Sequence, residues 1–88
     1  MTIKIHDSFD KDIQRINNKS VNHQLTVVIA SVIQTTTLKE IVNIKKLKGY
    51  KHYYRIRMGN YRIGLCIAEN TVEFVRCLHR KDIYKKFP

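Results

Sequence analysis

The stretch "YYRIRMGNYRIGLCIAENTVEFVRCLH", which runs from Tyr53 to His79, decides the fold of this chain. Apolar and polar residues alternate along it in three runs, and this period of two predicts β-strands. The runs are Tyr53–Met58, Tyr61–Ala68 and Thr71–His79. Gly59-Asn60 and Glu69-Asn70 separate them, and glycine and asparagine tolerate the positive φ angles of two-residue hairpin turns. The stretch therefore predicts an antiparallel meander of three strands.

The first turn, Gly59-Asn60, fixes the register of its hairpin because it has only two residues. It places Arg57 opposite Arg62 and Arg55 opposite Gly64. Successive side chains of a strand point to opposite faces, so the three arginines share one face of the sheet. Like charges in a cross-strand pair destabilise a sheet, and a bound polyanion would relieve the repulsion unless the arginines simply splay into water. Gly64 is expected to leave room for such a ligand.

The second turn, Glu69-Asn70, aligns the last two strands by the same rule. The predicted pairs are Leu65 with Phe74, Ile63 with Arg76, and Arg62 with Cys77. In this register His79 joins the arginines. Val75 also falls on the arginine face and Arg76 on the other, so a bulge in the last strand would change both assignments. The opposite face is apolar and should pack on helices; it holds Tyr54, Ile56, Ile63, Leu65, Ile67, Val72 and Phe74.

The first half of the chain predicts a strand and a helical hairpin. "TIKI", Thr2–Ile5, alternates like a strand, and Asp7 or Ser8 can cap the helix that follows. Ser20 can cap a second helix, while Thr35–Asn43 is ambiguous between a loop and a turn of helix. The residues expected to face inward are Phe9, Ile13 and Ile16 on the first helix and Val21, Leu25, Val28, Ile29, Val32 and Ile33 on the second. The fold class is therefore α+β, β-α-α-β-β-β(-α), with both helices on one face of an antiparallel sheet.

Length and charge narrow the classes of function. The 88 residues fit one domain, 1–88, and a hydrophobic fraction of 43% is typical of a globular protein. The net charge is +10. Residues 1–44 hold five Lys/Arg and four acids, whereas residues 45–88 hold twelve Lys/Arg and three acids. A basic half with interleaved tyrosines is typical of a nucleic-acid binder, although a basic surface can also serve solubility.

The chain gives no sign of a membrane or secretory protein. No apolar run approaches the roughly 18 residues that would span a bilayer, and "MTIKIHDSFD" lacks the apolar core and cleavage site of a signal peptide. We expect a cytoplasmic protein in which Cys66 and Cys77 are buried and reduced rather than joined in a disulfide. Cys77 and His79 are a close pair, but no second pair accompanies them, so we expect no metal or other cofactor.

What remains is a set of residues suited to cleaving RNA without a metal. The set comprises Arg55, Arg57, Arg62, His79, Arg80 and Tyr84. The 2′-OH of RNA supplies the nucleophile, and arginines can bind the phosphate oxygens bidentately. A histidine can move protons near neutral pH, and a tyrosine can stack a base or donate a proton if cations lower its pKa.

These residues lie in segments that resemble the RelE/ParE superfamily of toxins from toxin–antitoxin pairs. The matching pieces are "LKG", "YRIRMGNYRI" and "HRKDIY" within Leu47–Tyr84. The first half of the chain matches only in the order of its elements. The resemblance implies a curved antiparallel sheet with two helices on one face and an open basic face. For RelE-like members it also implies metal-independent cleavage of mRNA in the ribosomal A site, through a 2′,3′-cyclic phosphate.

The resemblance also implies roles for individual residues. The catalytic positions fall on Arg62, His79, Arg80 and Tyr84, and the phosphate-binding positions on Arg55 and Arg57, to which we add Lys48 and Lys81. Some relatives use a glutamate near the second strand as the base, but no acid lies between Ile41 and Ala68. The acid or base is then His79 or Tyr84, and the choice stays open.

The family further implies a partner, an acidic antitoxin that covers the basic face or displaces the C-terminal "DIYKKFP". The other expected partners are mRNA and the ribosome, with no membrane and no small-molecule ligand. Two other functions remain open. A ParE-type gyrase poison shares the fold but has no need of an RNA acid/base set, and a non-catalytic RNA-binding module would not depend on His79 or Tyr84.

Overall fold

The computed structural model describes residues 1–88 and contains one five-stranded sheet and three α-helices. The elements are β1 (Thr2–Ile5), α1 (Asp7–Ile16), α2 (Lys19–Gln34), a 3-10 turn (Leu38–Glu40), β2 (Ile44–Lys46), β3 (Tyr53–Met58), β4 (Tyr61–Ala68), β5 (Thr71–His79) and α3 (Ile83–Lys86). The strand order across the sheet is β1-β5-β4-β3-β2. None of the helices has the length and apolar character that crossing a membrane requires.

The α+β class and the predicted meander are confirmed, but the sheet is not purely antiparallel. β1 runs parallel to β5, with Ile5 beside Phe74. The crossover through α1 and α2 makes this pairing accessible, since parallel strands need a long connection. β2, which pairs with β3 at the sheet edge, was not predicted from the sequence. Its three residues, with one apolar side chain, are too few to show an alternation.

Both long helices begin at a different residue from the one predicted. α1 is capped by His6, whose Nδ1 accepts the backbone N–H of Ser8 at 3.1 Å, and not by Asp7 or Ser8. α2 is capped by Asn18, and not by Ser20. His6 and Asn18 both have extended backbone dihedrals, and the side chain of each accepts a backbone N–H from the first turn of its helix. This is the geometry that an N-cap needs.

The main core lies between the helix pair and one face of the sheet. Its buried residues are Phe9, Val21, Leu25, Val32, Ile41, Ile56, Met58, Ile63, Leu65, Ile67, Val72, Phe74 and Cys77. The predicted inward stripe of α2 is right except at Ile33, which is exposed. Val32 is fully buried, and its neighbour in sequence points about 100° away around the helix, so Ile33 turns to the surface.

A bulge in β5 overturns the predicted register of its C-terminal half. Leu65 pairs with Phe74 as predicted, but the register then shifts by one residue. The observed pairs are Gly64 with Arg76, Ile63 with Cys77, Arg62 with Leu78 and Tyr61 with His79. The predicted pairs of Ile63 with Arg76 and of Arg62 with Cys77 are therefore wrong. An extra residue exchanges the two faces for everything beyond it, so Cys77 turns into the main core.

Candidate functional site

Three arginines lie together on the face of the sheet that turns away from α1 and α2. Arg57 pairs with Arg62 across β3 and β4, and Arg55 pairs with Gly64, as the Gly59-Asn60 turn predicted. Their neighbours in sequence, such as Ile56 and Ile63, point into the main core. We call this surface, defined by Arg55, Arg57, Arg62 and Gly64, the basic face.

Two of these arginines are held by backbone carbonyls. Arg55 donates from Nη1 to the carbonyl oxygen of Asn43 at 2.9 Å. Arg62 donates from Nη1 to the carbonyl oxygens of Gly59 at 2.8 Å and Tyr61 at 3.0 Å. Arg57 is exposed. Each pinned guanidinium keeps donors free, because it has five N–H groups and uses few of them.

No carboxylate neutralises the basic face. The salt bridges of the chain both involve Asp12, which contacts Arg76 at 2.8 Å and Arg15 at 4.0 Å. Asp12 serves another purpose, since one of its oxygens also accepts the backbone N–H of Cys77. The positive charge of the basic face is therefore free to attract an anion.

The pKa of Arg62 reports which charges share its surroundings. Partial burial lowers this pKa first, and the neighbouring positive charges of Arg55, Arg57 and Arg80 lower it further, whereas Tyr84 raises it. The structure therefore brings five of the six residues of the predicted RNA-cleavage set into one electrostatic neighbourhood. Arg62 stays charged, because an arginine remains protonated in proteins.

The C-terminal segment supplies Arg80 and Tyr84 to this neighbourhood. The backbone N–H of Arg80 donates to the carbonyl oxygen of Asn60 at 2.8 Å, which sets Arg80 beside the hairpin turn. Tyr84 lies on α3 with 62% of its surface exposed. α3 is attached to the basic face through a second apolar cluster, the C-terminal cluster, formed by Leu47, Leu78, Ile83 and Phe87.

Gly64 does not leave room for a ligand, and that expectation is wrong. The ring of Phe87 covers it so closely that a Cβ at Gly64 would lie 2.8 Å from the ring carbons. Phe87 also contacts Tyr53 in an edge-to-face arrangement, with ring centroids 5.5 Å apart. Phe87 therefore closes the basic face at Gly64 itself.

His79 is not on the basic face, and its predicted place beside the arginines is wrong. It lies opposite Tyr61 on the helix side of the sheet, and the two rings meet edge to face with centroids 5.7 Å apart. Its Nδ1 accepts the backbone N–H of Lys81 at 3.2 Å. The bulge in β5 is the cause, because it exchanges the two faces between Phe74 and the end of the strand.

The two lysines predicted to bind RNA lie at separate places. Lys48 is exposed in the turn between β2 and β3, at the far end of β3 from Arg57. Lys81 is exposed directly after Arg80. Lys81 is therefore adjacent to Arg80 along the chain, whereas Lys48 lies at the other end of the sheet.

Phe87 and Asp12 contribute to the site but were not predicted from the sequence. Phe87 is the last apolar residue of a basic C-terminal tail, and only its burial identifies it as an anchor, with 4% of its surface exposed. In sequence, Asp12 is one of several acids on α1. In the structure it is buried and hydrogen-bonded to Arg76 through both carboxylate oxygens. The inward helix positions 9, 13 and 16 flank residue 12, which was the one signal for its burial.

Comparison with known proteins agrees with the fold and with the resemblance. A family model described as "ParE toxin of type II toxin-antitoxin system, parDE" matches residues 3–84. Toxin RelE3 of Methanocaldococcus jannaschii is 38% identical over 89 residues, and the match covers 100% of both chains.

Solved structures give the same picture. A chain of the RelB-RelE antitoxin–toxin complex from Methanococcus jannaschii matches with a TM-score of 0.82 and 38% identity, covering 97% of this chain and 99% of that one. A chain of the archaeal RelE-RelB complex from Pyrococcus horikoshii OT3 matches with a TM-score of 0.73, covering 93% and 97%. At 20% identity, the second match supports the fold alone.

Proposed function

The chain belongs to the RelE/ParE family of toxins from type II toxin–antitoxin systems, and we propose that it cleaves mRNA in the ribosomal A site. The observation that carries this proposal is the group of Arg55, Arg57, Arg62, Arg80 and Tyr84 on a face that has no neutralising carboxylate. Such a group suits a phosphate on which negative charge develops.

The reaction needs only groups that this site and the RNA supply. The 2′-oxygen attacks phosphorus, the bond from phosphorus to the 5′-oxygen breaks, and a 2′,3′-cyclic phosphate remains. One proton leaves the 2′-OH and another joins the 5′-oxygen. Arg62 and its neighbours would bind the nonbridging oxygens more tightly as their charge grows, which lowers the barrier. The arginines thereby supply the positive charge, so the step needs no metal.

Tyr84 is the better placed of the two candidates for proton transfer. It is exposed and lies in the electrostatic surroundings of Arg62, where a phosphate would bind. His79 lies on the other side of the sheet and packs on Tyr61. Geometry takes precedence over pKa in the choice of a general acid or base, so we assign the role to Tyr84 and a structural role to His79.

The RelE branch is favoured over the ParE branch by sequence. The matching family model carries the ParE name, but the relative matched over its whole length at 38% identity is named a RelE toxin. A gyrase inhibitor would need neither Tyr84 nor the exposed arginines as an RNA-cleaving set. Inhibition of DNA gyrase is therefore the alternative that the experiment below must exclude.

The proposed partners follow from the same site. The related RelE chains were solved as complexes with RelB antitoxins. A cognate antitoxin with acidic side chains would complement the net charge of +10 and cover the basic face or displace the C-terminal residues 82–88. We propose mRNA and the ribosome as the other partners, and with them a cytoplasmic location.

The decisive experiment gives the purified protein to ribosomes programmed with a defined mRNA and maps the new 5′ ends. We expect cuts within the A-site codon, no cuts in the same mRNA without ribosomes, and a 2′,3′-cyclic phosphate on the upstream fragment. The Tyr84→Phe variant should cut at least about 10²-fold more slowly. Growth arrest without cleavage would refute the proposal, and inhibition of gyrase supercoiling by the same preparation would establish the alternative.

A further inference from the structure

The C-terminal cluster joins α3 to the sheet at two points, one on each side of Tyr84. Ile83 is fully buried, and Phe87 is buried four residues later, while Tyr84 between them is exposed. The backbone N–H of Phe87 donates to the carbonyl oxygen of Ile83 at 2.8 Å, which keeps both anchors on the same side of the short helix. Tyr84 is therefore carried by a helix of only one turn, whose position depends on these anchors.

Phe87 packs on the sheet at a place, called here its seat, that only a glycine at position 64 allows. The Phe87 ring lies directly on the backbone of Gly64 in β4, and any side chain there would come within 2.8 Å of ring atoms. Tyr53 closes one side of the seat by its edge-to-face contact with the ring. Gly64 also pairs with Arg55 across the hairpin, so the seat belongs to the same strand pair that carries the arginines.

We propose that Phe87, seated on Gly64, is a positioning residue that fixes Tyr84 in front of Arg62. This inference rests on the proposed function, because it assigns the position of Tyr84 a role in RNA cleavage. A helix of four residues is too short to hold itself in place, since an isolated helix of this length is unstable in water. The tertiary contact of Phe87 supplies the order that a catalytic side chain requires.

A double-mutant cycle on programmed ribosomes tests the proposal. Phe87→Ala removes the anchor and Gly64→Ala displaces it, so each should lower kcat about tenfold or more while KM stays within about twofold. Phe87→Leu keeps an apolar anchor and should retain most of the activity. In a Tyr84→Phe background, Phe87→Ala should cause no further loss, because a positioning residue acts only through the group that it positions.

Full additivity of Phe87→Ala and Tyr84→Phe would overturn the proposal, because it would show that Phe87 acts independently of Tyr84. An unchanged kcat in both Phe87→Ala and Gly64→Ala would overturn it as well. Melting temperatures of all variants identify any loss that comes from unfolding, and kinetics are read well below the lowest of them.

A second measurement does not depend on RNA cleavage. In protein labelled with 13C in the tyrosine rings, the Tyr84 resonance is assigned by its disappearance in Tyr84→Phe. Phe87→Ala and Gly64→Ala should shift this resonance toward the position of a mobile tyrosine, and Phe87→Leu should leave it nearly unchanged. An unshifted Tyr84 resonance in Phe87→Ala would refute the positioning role even if the wild-type protein cuts mRNA. A shifted resonance in a protein that cuts no mRNA would instead refute only the proposed function.

Discussion

Arg62 interacts electrostatically with the other arginines of the basic face, and its removal gives the first prediction. Arg62→Ala should abolish growth arrest on induction, because it deletes a guanidinium that interacts electrostatically with the other arginines and the tyrosine of the proposed site. The fold should survive, since the side chain bonds only to carbonyls of its own turn and lies outside the main core. Colony counts after induction and thermal unfolding of the purified variant measure the two effects.

Two companion variants make this prediction specific. Arg15→Ala removes the same charge from the exposed surface of α1 and should remain toxic. Arg62→Lys keeps the charge but loses the planar fork, so it should be intermediate between wild type and Arg62→Ala. Full toxicity of Arg62→Ala would place the site elsewhere on the molecule.

The two cysteines give a second prediction at the scale of residues. Both are free thiols, as expected, but Cys77 is buried in the main core whereas Cys66 is half-buried. Burial raises the pKa of the Cys77 thiol from 9.0 to about 12, and Asp12 contributes in the same direction. The thiolate is the reactive form, so at pH 8 iodoacetamide should modify Cys66 and spare Cys77 in the native protein.

Mass spectrometry of the digested protein measures the modification of each cysteine. Full denaturation should expose both thiols equally and is the control. Because the pKa of Cys77 is higher in the folded state, its contribution to stability is complete below about pH 9 and is lost as the pH rises toward 12. A Cys77→Val variant should therefore lose less unfolding free energy than wild type over this range. Equal modification of both cysteines in native protein at pH 8 would contradict the prediction.

At the scale of elements, the sequence predicted the β3–β4 hairpin correctly and the end of β5 incorrectly, and the reason is physical. A two-residue turn is local and fixes its register by itself. The bulge in β5 depends on a segment that is distant in sequence. β1 ends opposite Phe74, and beyond that point α1 lies beside the edge of β5 in its place. Ser8 Oγ donates to the carbonyl oxygen of Val75, and Asp12 accepts the N–H of Cys77.

The difference between local contacts and contacts distant along the chain also explains which site residues could be predicted. The arginines of β3 and β4 followed from the local turn, and the structure places them as expected. The position of His79 depended on the bulge, and the room above Gly64 depended on where the C-terminal tail returns. Neither contact leaves a local signal in sequence, since the residues involved are distant along the chain.

The contact between α1 and β5 gives the third prediction. Asp12, with 3% of its surface exposed, binds Arg76 through both carboxylate oxygens and also accepts the backbone N–H of Cys77. Asp12→Ala would leave the strand edge and Arg76 without their acceptor. Loss of one partner of a fully buried ion pair costs about 3–5 kcal/mol. Because Arg76 is partly exposed, we expect a loss near or below the lower end of that range, which is still a large share of the stability of a small domain. Urea denaturation followed by circular dichroism measures this loss.

Asp10→Ala is the matched control for this prediction. It removes an acid two residues away on the same helix, where the side chain is exposed. Its cost should be well below about 1 kcal/mol, as expected for the loss of a single favourable charge near a helix N-terminus. Equal destabilisation by Asp10→Ala and Asp12→Ala would show that the carboxylate at position 12 does not hold α1 to β5.

At the scale of the whole molecule, the charge is divided between two halves of the chain and therefore between two regions of the fold. The near-neutral half forms β1, α1, α2 and the first residue of β2, and the basic half forms the rest of β2, the other three strands and α3. The apolar side chains of both halves meet in the main core, which leaves the arginines of β3 and β4 on the outer side of the sheet. The distribution orients the protein electrostatically toward a polyanion before any contact forms.

This orientation gives the last prediction, which concerns binding of single-stranded RNA at different salt concentrations. Each phosphate contact on single strands contributes about −0.7 to the slope of log K against log salt. Arg57 is exposed on the basic face, so Arg57→Gln should weaken binding and make the slope shallower by about that amount. Lys19→Gln removes the same charge from the start of α2, on the helix side, and should leave the slope unchanged. Fluorescence anisotropy at several salt concentrations measures both slopes. Equal changes in the two variants would show that net charge, and not the basic face, attracts the RNA.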